Sequence, residues 1–313
     1  MKILVTGGLG YIGWAVTRSL RQAGHDVDVL SRQSNATPPA GARLVRADLT
    51  DADALTEVVT AGRYDGVCHL AALTRGRDSF ADPLGYWHVN VGGTLNLIRA
   101  IAAARPPTPT RFVLASTNIV YGSQREGALS EDLPPRPESP YGASKAAAER
   151  LVSDVAATGA ITAVILRVFN ASGAVDRRPD RDPTRIIPAI MRVARGELPV
   201  LAVNGDGTVR RDFTHVADVA TAFRLALETD RPDTTVYNVG TGRGTSVADL
   251  ITAAEAITGR PIPIERRPPK PEPHTSIADP TRIQTDLGWR PENSDLTTIL
   301  GSAWDAANSP NVG

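Results

Sequence analysis

The sequence has 313 residues, enough for a full hydrophobic core in one large domain together with a smaller lobe. Its 34 basic residues balance its 34 acidic residues, so the net charge favours neither nucleic acid nor an anionic membrane surface as the main partner. The single cysteine, Cys68, cannot form an internal disulfide, no Cys/His spacing is typical of a metal site, and no apolar run reaches membrane-spanning length. We therefore expect a cytosolic protein without a metal.

Short runs rich in β-branched residues alternate with amphipathic segments through the first half of the chain. The runs predict strands at 2–5, 27–30, 44–47, 66–70, 111–115 and 161–166, and the segments between them predict helices at 11–23, 51–61, 83–104 and 141–158. Strands without polar alternation, each followed by a helix, are typical of a parallel sheet covered on both faces. The pattern predicts an α/β fold with a Rossmann-type doubly wound parallel sheet.

The second half of the sequence is less regular. It predicts helices at 186–195 and 216–228, a strand at 235–239, and a charged loop at 177–183. The proline-rich run 266–273 excludes a helix or a central strand, because proline lacks the amide donor and fixes φ. We predict a first domain at 1–170, to which 212–240 returns, and a smaller C-terminal substrate-binding lobe made of 171–211 and 241–308.

A glycine cluster follows the first predicted strand and opens the first predicted helix. Its members are Gly7, Gly8, Gly10 and Gly13, with Tyr11 and Ile12 between the last two. Glycines in this context allow a tight turn and a close approach of the backbone to a pyrophosphate, which the N-terminus of the helix attracts. The sequence therefore predicts a dinucleotide-binding site, formed by Gly7, Gly10, Tyr11, Ile12 and Gly13.

The end of the second predicted strand bears on the choice of dinucleotide. A carboxylate at this point binds the ribose hydroxyls of NAD, but the strand ends in Ser31-Arg32. Serine and arginine suit a 2′-phosphate, because the guanidinium offers a fork of donors to that group. This favours NADP over NAD, although Arg32 pointing into solvent would leave NAD as the cofactor. Asp48, at the end of the third strand, is expected at the adenine edge.

Tyr141 and Lys145 lie four residues apart at the start of a predicted helix, so both can face the same site. A free tyrosine has a pKa of about 10, and a nearby cation lowers it, which makes the phenolate available as a general base. Thr117 follows the fifth strand at the edge of the sheet where open α/β folds bind ligands. We predict Thr117, Tyr141 and Lys145 as the catalytic set.

Ordered motifs along nearly the whole chain resemble the extended short-chain dehydrogenases/reductases, in their NAD-dependent epimerase/dehydratase and UDP-glucose 4-epimerase-like branch. Besides the glycine cluster and YGASK, these motifs are HLAA at 69–72, NVGGT at 90–94, RVFN at 167–170, RRDFTHV at 210–216, YNVGTG at 237–242 and LGWRP at 287–291. The resemblance implies that Thr117, Tyr141 and Lys145 act as the catalytic hydroxyl, base and lysine, and that Lys145 also holds the nicotinamide ribose.

The same resemblance implies further contacts. Residues expected to line the cofactor are Leu49, Leu70, Ala71, Ala72, Thr74, Asn90 and Phe169, and those expected at the nucleotide-sugar substrate are Thr74, Ser116, Thr117, Asn170 and Arg211. Arg211 suits a pyrophosphate as a fixed cation. The resemblance also implies a homodimer joined through the helices at 83–104 and 141–158.

Departures from the family pattern narrow the expected activity. Asn118-Ile119 replaces the Asp-Glu pair of sugar 4,6-dehydratases, so elimination of water is not expected. The late Arg-x-Gly-Asp diphosphate motif is replaced by the proline-rich run, where Lys270 or Arg267 is expected to substitute. Ser276 stands near the position that limits sugar bulk, and its small side chain would leave room for an N-acetyl group.

Three functions remain open at this point. The first is a nucleotide-sugar 4-epimerase, with UDP-hexose as the expected substrate, that oxidises C4 transiently with tightly bound NAD(P). The second is an NADPH-dependent nucleotide-sugar 4-ketoreductase or dehydrogenase, which the Ser31-Arg32 pair favours. The third is a non-catalytic dinucleotide-sensing protein, against which the Thr117, Tyr141 and Lys145 set argues.

Overall fold

The computed structural model of the chain describes residues 1–123, 127–231, 233–270 and 273–309. The proline-rich run predicted at 266–273 lies partly outside the described residues, since 271 and 272 are not among them. Among the helices of the described ranges, none combines the length and apolar character needed to cross a membrane.

The elements of the first half follow one another as alternating strands and helices. They are β1 (Lys2–Thr6), α1 (Tyr11–Gln22), β2 (Asp26–Ser31), β3 (Arg43–Arg46), α2 (Ala52–Gly62), β4 (Gly66–His69), α3 (Pro83–Trp87), α4 (Gly93–Ala104), β5 (Thr110–Thr117), β6 (Ala128–Leu129), α5 (Pro140–Ala156) and β7 (Ile161–Val168). Short 3₁₀ helices lie at Asp78–Phe80 and Asn118–Tyr121, and a π-helical turn lies at His88–Gly92.

The elements of the second half are shorter and more varied. They are β8 (Asn170–Ser172), β9 (Ala174–Val175), β10 (Arg178–Pro179), α6 (Ile186–Ala194), β11 (Leu201–Asn204), β12 (Arg210–Arg211), β13 (Phe213–His215), α7 (Val216–Glu228), β14 (Thr235–Val239), β15 (Thr245–Ser246), α8 (Val247–Thr258), β16 (Ile264–Arg267), β17 (Thr275–Ala278), α9 (Thr281–Leu287) and α10 (Leu296–Asn308).

A parallel sheet forms the centre of the molecule and confirms the predicted α/β fold. Within the described residues it has seven strands in the order β3-β2-β1-β4-β5-β7-β14. One apolar cluster packs α1 and α7 against one face of the sheet, and another cluster packs α2, α4 and α5 against the opposite face. Continuous apolar strands require this cover on both faces. The order reverses between β1 and β4, and a crevice opens at that point, at the carboxyl ends of the strands.

The helix predicted over 83–104 is wrong as a single element. It is divided into α3 and α4 by the π-helical turn His88–Gly92, in which Asn90 is buried. The Thr94 hydroxyl donates to the Asn90 carbonyl oxygen at 2.6 Å, so this carbonyl has a partner although the turn is wider than an α-turn. The turn directs the Asn90 side chain away from solvent.

The remaining segments build a second layer against the sheet edge. β13 pairs with β8, β11 pairs with β16, and β12 joins β15, β17 and β6. A separate apolar cluster packs α6, α8 and α10 together around residues such as Ile190, Leu250 and Leu300. β16 pairs with β11 and with no other described strand, which agrees with the predicted absence of a central strand in the proline-rich run.

The segment 177–183 contains a short strand where the sequence predicted only a loop. β9 and β10 form a hairpin whose turn, Asp176-Arg177, has both φ angles positive, at 52° and 58°. This turn type matches the twist of a two-stranded ribbon. The hairpin packs on α1, because the Asp176 carboxylate bonds to Arg18 at 2.9 Å and accepts from Trp14 Nε1 at 3.2 Å. Arg178 stacks on the Trp14 ring at 3.5 Å.

Candidate active site

A cleft of about 2410 Å³ runs along the carboxyl ends of the sheet strands and on toward the second layer. Almost every predicted site residue lines it, including the glycine loop, Ser31, Arg32, Asp48, Leu49, Leu70, Ala71, Ala72, Thr74, Ser116, Thr117, Tyr141, Lys145, Phe169, Asn170, Arg211 and Lys270. Two of them, Asn90 and Ser276, do not line it and are buried. Folding thus brings residues from both halves of the chain to one crevice.

The glycine loop leaves room only for hydrogen at its key positions. Gly7 has φ +72°, and a Cβ there would lie 2.7 Å from the Ala71 amide nitrogen on β4's extension. A Cβ on Gly13 would lie 2.1 Å from the Gly7 carbonyl oxygen, well inside van der Waals contact. In the described structure α1 begins after Gly10 with no side-chain cap and no acidic residue in its first turn. Its first amides therefore face the cleft, where they favour an anion.

Arg32 and Asp48, which the sequence predicted at the adenosine part of the cofactor, both line the cleft. The Arg32 guanidinium is 3.8 Å from the Asp48 carboxylate, and its side chain is 80% exposed. The other oxygen of Asp48 accepts from the Thr50 amide at 2.9 Å and from its hydroxyl at 2.8 Å. Burial opposes ionisation of Asp48, but the Thr50 bonds and Arg32 outweigh it and lower the pKa. The sequence predicted Asp48 at the end of the third strand and did not predict its contact with Arg32.

Asn90 joins the end of β4 to the helix that carries Tyr141. Its side-chain Oδ1 accepts from the Leu73 backbone amide at 2.8 Å, and its side-chain Nδ2 donates to the Leu73 backbone carbonyl at 3.0 Å. The same nitrogen donates to the Ser144 hydroxyl at 2.9 Å, which in turn donates to the Tyr141 carbonyl at 2.8 Å. These bonds fix the relative positions of the loop after β4 and the start of α5.

His69 continues this chain toward the glycine loop. Burial lowers its pKa to about 3, with a further contribution from Lys145, so the ring is neutral. The Ala71 amide donates to Thr6 Oγ1 at 3.1 Å, which leaves the Thr6 hydroxyl to donate to His69 Nδ1 at 2.7 Å. His69 Nε2 then donates to Thr94 Oγ1 at 2.9 Å. The buried side chains of Thr6, His69 and Thr94 in this series of hydrogen bonds thus all have partners, which favours a rigid core.

The structure brings Thr117, Tyr141 and Lys145 together at the middle of the cleft. Tyr141 and Lys145 share one face of α5, whose N-cap Ser139 accepts from the Gly142 amide at 3.1 Å. Thr117 ends β5, and its hydroxyl is near enough to Tyr141 to lower the pKa of the phenol. Lys145 is 4% exposed, and among the described residues it has no hydrogen-bond partner. Its ammonium is therefore available to a ligand in the cleft.

The Tyr141 pKa is raised, whereas the sequence predicted that it would be lowered. Burial raises the pKa of Tyr141, and this outweighs the opposing effects of the Thr117 hydrogen bond and of Arg185. Burial also lowers the pKa of Lys145 to about 8, while the charge of Glu149 opposes that change. Arg185, and not the predicted Lys145, is the cation that opposes the rise in the Tyr141 pKa, and the loss of water around the phenol decides the direction.

Most residues predicted at the substrate make hydrogen bonds with neighbouring parts of the protein. Asn170 donates from Nδ2 to the Asp212 carbonyl at 2.9 Å, and Arg211 donates to the Pro273 carbonyl at 2.9 Å. Ser116 donates to the buried Glu149 carboxylate. Ser276 accepts from Asn118 Nδ2 at 2.9 Å. Asn118, which the sequence marked only as a departure, lines the cleft next to Thr117, and its amide bonds to Ser276 behind it.

A charged group near Tyr141 was missed from the sequence. Arg185, which precedes α6, bonds to Asp180 at 3.0 Å and lies 3.9 Å from Asp182. Arg75, from the loop after β4, is 3.8 Å from Asp182. All four side chains line the cleft. Asp180, Asp182 and Arg185 come from one segment and Arg75 from another, and only the tertiary fold brings the two together.

Comparison with known proteins agrees with this geometry. Residues 3–240 match the model of the NAD dependent epimerase/dehydratase family. UDP-glucose 4-epimerases of Streptomyces lividans and Corynebacterium glutamicum are 37% and 35% identical, each over 97% of this chain and 95% of the relative. The crystal structure of UDP-glucose-4-epimerase from Stenotrophomonas maltophila, with bound NAD and formylated UDP-arabinopyranose, matches with a TM-score of 0.91, 33% identity and 98% of each chain. The chain is therefore a member of the NAD-dependent epimerase/dehydratase family.

Proposed function

We propose that this protein is a UDP-sugar 4-epimerase that works with tightly bound NAD. The observation that carries the proposal is the meeting of Thr117, Tyr141 and Lys145 in the same cleft as the glycine loop. The relatives that span nearly the whole chain are UDP-glucose 4-epimerases, and a similar structure holds NAD together with a UDP-sugar. An epimerase returns its cofactor to the starting state in each cycle, so an enclosed site is no obstacle to turnover.

The residues present fit a dinucleotide. The hydrogen-only positions at Gly7 and Gly13 and the uncapped start of α1 suit a pyrophosphate. We assign the nicotinamide ribose to Lys145, whose buried ammonium faces the cleft, and we place Phe169 and the Leu70–Thr74 segment along the cofactor. When bound, NAD supplies the group that accepts the C4 hydride of the sugar and returns it to the opposite face.

The chain's own residues manage the proton and the position of the sugar. Tyr141, as phenolate, takes the proton of the C4 hydroxyl and gives it back when the hydroxyl is restored. Thr117 donates a hydrogen bond that stabilises the phenolate or the sugar oxygen. Lys145 in its cationic form favours ionisation of Tyr141 through its charge. Asn170 and Arg211, on the second layer, are assigned to the diphosphate of the substrate, with 171–211 and 241–308 as the substrate-binding lobe.

The decisive experiment is incubation of the purified protein with UDP-glucose and, separately, with UDP-N-acetylglucosamine, without added cofactor. We expect the C4 epimer to accumulate to an equilibrium mixture, measured by NMR of the anomeric protons, because the cofactor remains bound and is regenerated. A protein that converts neither sugar, but reduces a UDP-4-keto-hexose to the C4 alcohol when NADPH is added, would instead be the 4-ketoreductase.

The preference for NADP predicted from Ser31 and Arg32 remains a proposal, and Asp48 limits it. The exposed Arg32 is free to turn toward a 2′-phosphate, but the carboxylate at 3.8 Å favours its present position and repels that phosphate. We expect Arg32→Ala to weaken NADP binding by about tenfold and to leave NAD binding within about twofold. Isothermal titration of the cofactor-free protein measures both constants; an equal loss for the two dinucleotides would remove the 2′-phosphate role.

The homodimer is likewise a proposal, supported by an apolar surface on α3. Leu84 is 80% exposed and Trp87 is 42% exposed, next to Phe80 in the preceding turn. Apolar side chains grouped this way mark an association surface. We expect Leu84→Asp to lower the sedimentation coefficient to that of a monomer. Ile264→Asp, which alters an exposed apolar residue on β16, is the matched control and should leave the sedimentation unchanged.

A further inference from the structure

A buried ion pair lies one helical turn from Lys145, and the chemistry proposed above does not use it. Glu149 on α5 and Arg167 on β7 are joined by contacts of 2.7, 3.1 and 3.3 Å. Their side chains are 7% and 5% exposed. Burying two charges costs several kcal/mol per ion, and apolar residues of similar volume often stabilise a fold as well. Packing alone therefore gives little reason for charges at this place.

The carboxylate of Glu149 has a third partner that leads to the catalytic set. The Ser116 hydroxyl donates to Glu149 Oε1, and Ser116 immediately precedes Thr117 at the end of β5. On the other side, Arg167 donates to the Tyr121 hydroxyl at 3.0 Å, and Tyr121 donates to Asn238 at 2.7 Å. One carboxylate thus ties α5, the end of β5 and β7 together beneath the cleft.

The charge of Glu149 also acts on Lys145. Among the described residues, His69 from β4 interacts with Lys145, and Arg167 from β7 is paired with Glu149. Tyr121 and the backbone carbonyl of Glu131 contact Arg167. His69 is neutral, since burial lowers its pKa to about 3. Burial alone drives the pKa of Lys145 down, and the negative charge of Glu149 is the effect that opposes it.

We propose that Glu149 is a positioning residue of the epimerase site, which aligns Thr117 through Ser116 and keeps Lys145 cationic through its charge. This inference rests on the proposed function, although its charge component does not depend on turnover. Glu149 contacts neither substrate nor cofactor in this role, and no bond to it forms or breaks. The two components can be separated because glutamine at position 149 keeps an oxygen that accepts from Ser116 and carries no charge.

Two variants separate these components. Glu149→Gln alone would leave Arg167 as an unpaired buried charge, so it is combined with Arg167→Met, which keeps the volume and removes that charge. The Gln oxygen still accepts from Ser116, so this double variant keeps the alignment and loses both charges of the ion pair, of which Glu149 is the one that acts on Lys145. Ser116→Ala does the reverse. Thermal unfolding and NAD content establish that both proteins are folded before they are compared.

The first measurement is the titration of Lys145 itself. Lysine occurs only at positions 2, 145 and 270, so limited acetylation followed by mass spectrometry of the peptides reports Lys145 against two internal references. In the double variant we expect the pH of half-maximal labelling at Lys145 to fall by about one pH unit, and the alkaline limb of kcat to fall with it. Ser116→Ala should leave both unchanged. Coincident Lys145 curves for the wild type and the double variant would overturn the charge component.

The second measurement is the split between kcat and KM. In Ser116→Ala we expect kcat for the UDP-sugar to fall about tenfold or more, with KM unchanged, because only the reacting geometry is disturbed. Wild-type kcat in this variant would overturn the alignment component. Asp218→Asn is the control: it alters a buried carboxylate bonded to Ser294 outside the cleft, and it should lower thermal stability without moving the Lys145 curve. Were no UDP-sugar converted even by the wild type, the proposed function would fail while the Lys145 titration would still decide the charge component.

Discussion

Tyr141→Phe is expected to lower kcat by at least about a thousandfold while the bound dinucleotide is retained, because the variant loses only the oxygen that takes the C4 proton. Tyr141 is buried at the centre of the cleft, and its ring packs edge-on against Tyr86 with centroids 6.2 Å apart. Phenylalanine keeps that packing, so the fold should be unaffected. The initial rate of UDP-sugar epimerisation and the absorbance of NAD released on denaturation measure the two quantities.

Tyr237→Phe provides the matched control for this experiment. It removes another buried tyrosine hydroxyl, which bonds to Asp286 at 3.1 Å on the far side of the sheet edge. The expected loss is about 1 kcal/mol of stability with kcat unchanged. Wild-type turnover in Tyr141→Phe would mean that another group removes the proton, and the assignment of the base would have to be abandoned.

Gly13→Ala is expected to abolish tight dinucleotide binding and to destabilise the protein by about 1–3 kcal/mol. The new Cβ would lie 2.1 Å from the Gly7 carbonyl oxygen. Because the atoms that it meets belong to the backbone, the loop itself must move. Displacement of the loop separates the amides of α1 from the pyrophosphate. Thermal unfolding gives the stability, and the NAD content of the purified protein gives the binding.

Gly301→Ala serves as the comparison for Gly13→Ala. Gly301 lies in α10, and a Cβ there would meet no atom within 4 Å. Alanine at this position is expected to stabilise the helix by about 0.5–1 kcal/mol and to leave the NAD content unchanged. Full NAD content in Gly13→Ala would show that the loop tolerates a side chain, which contradicts the steric argument.

The first half of the fold was predictable because its signals are local. Each strand is a short apolar run, and the glycine cluster stands between a strand and a helix, so sequence neighbours alone predict these elements. The spacing of Tyr141 and Lys145 also predicted that they share one face of a helix, since four residues make about one turn. Where a single segment determines the geometry, the prediction was confirmed in the fold.

The errors arose where distant segments meet. The π-helical turn around Asn90 is stabilised by Leu73 and Ser144, neither of which neighbours it in sequence. The direction of the Tyr141 pKa depends on burial by the whole surrounding structure, which a motif does not contain. The contact between Arg32 and Asp48 joins the ends of two strands with a loop between them. Tertiary contacts decide such features, so local patterns did not reveal them.

The β9–β10 hairpin has a consequence for how the two ligands bind. It joins the second layer to α1 through Asp176 and Trp14, and the Tyr11 hydroxyl at the start of α1 donates to the Gly173 carbonyl at 2.8 Å. The helix α1, which we propose binds the dinucleotide, is thus hydrogen-bonded to the lobe that we propose binds the sugar nucleotide. Ordering of either by its ligand reduces the entropy that the other has still to lose, so each ligand should raise the affinity for its companion by the same factor.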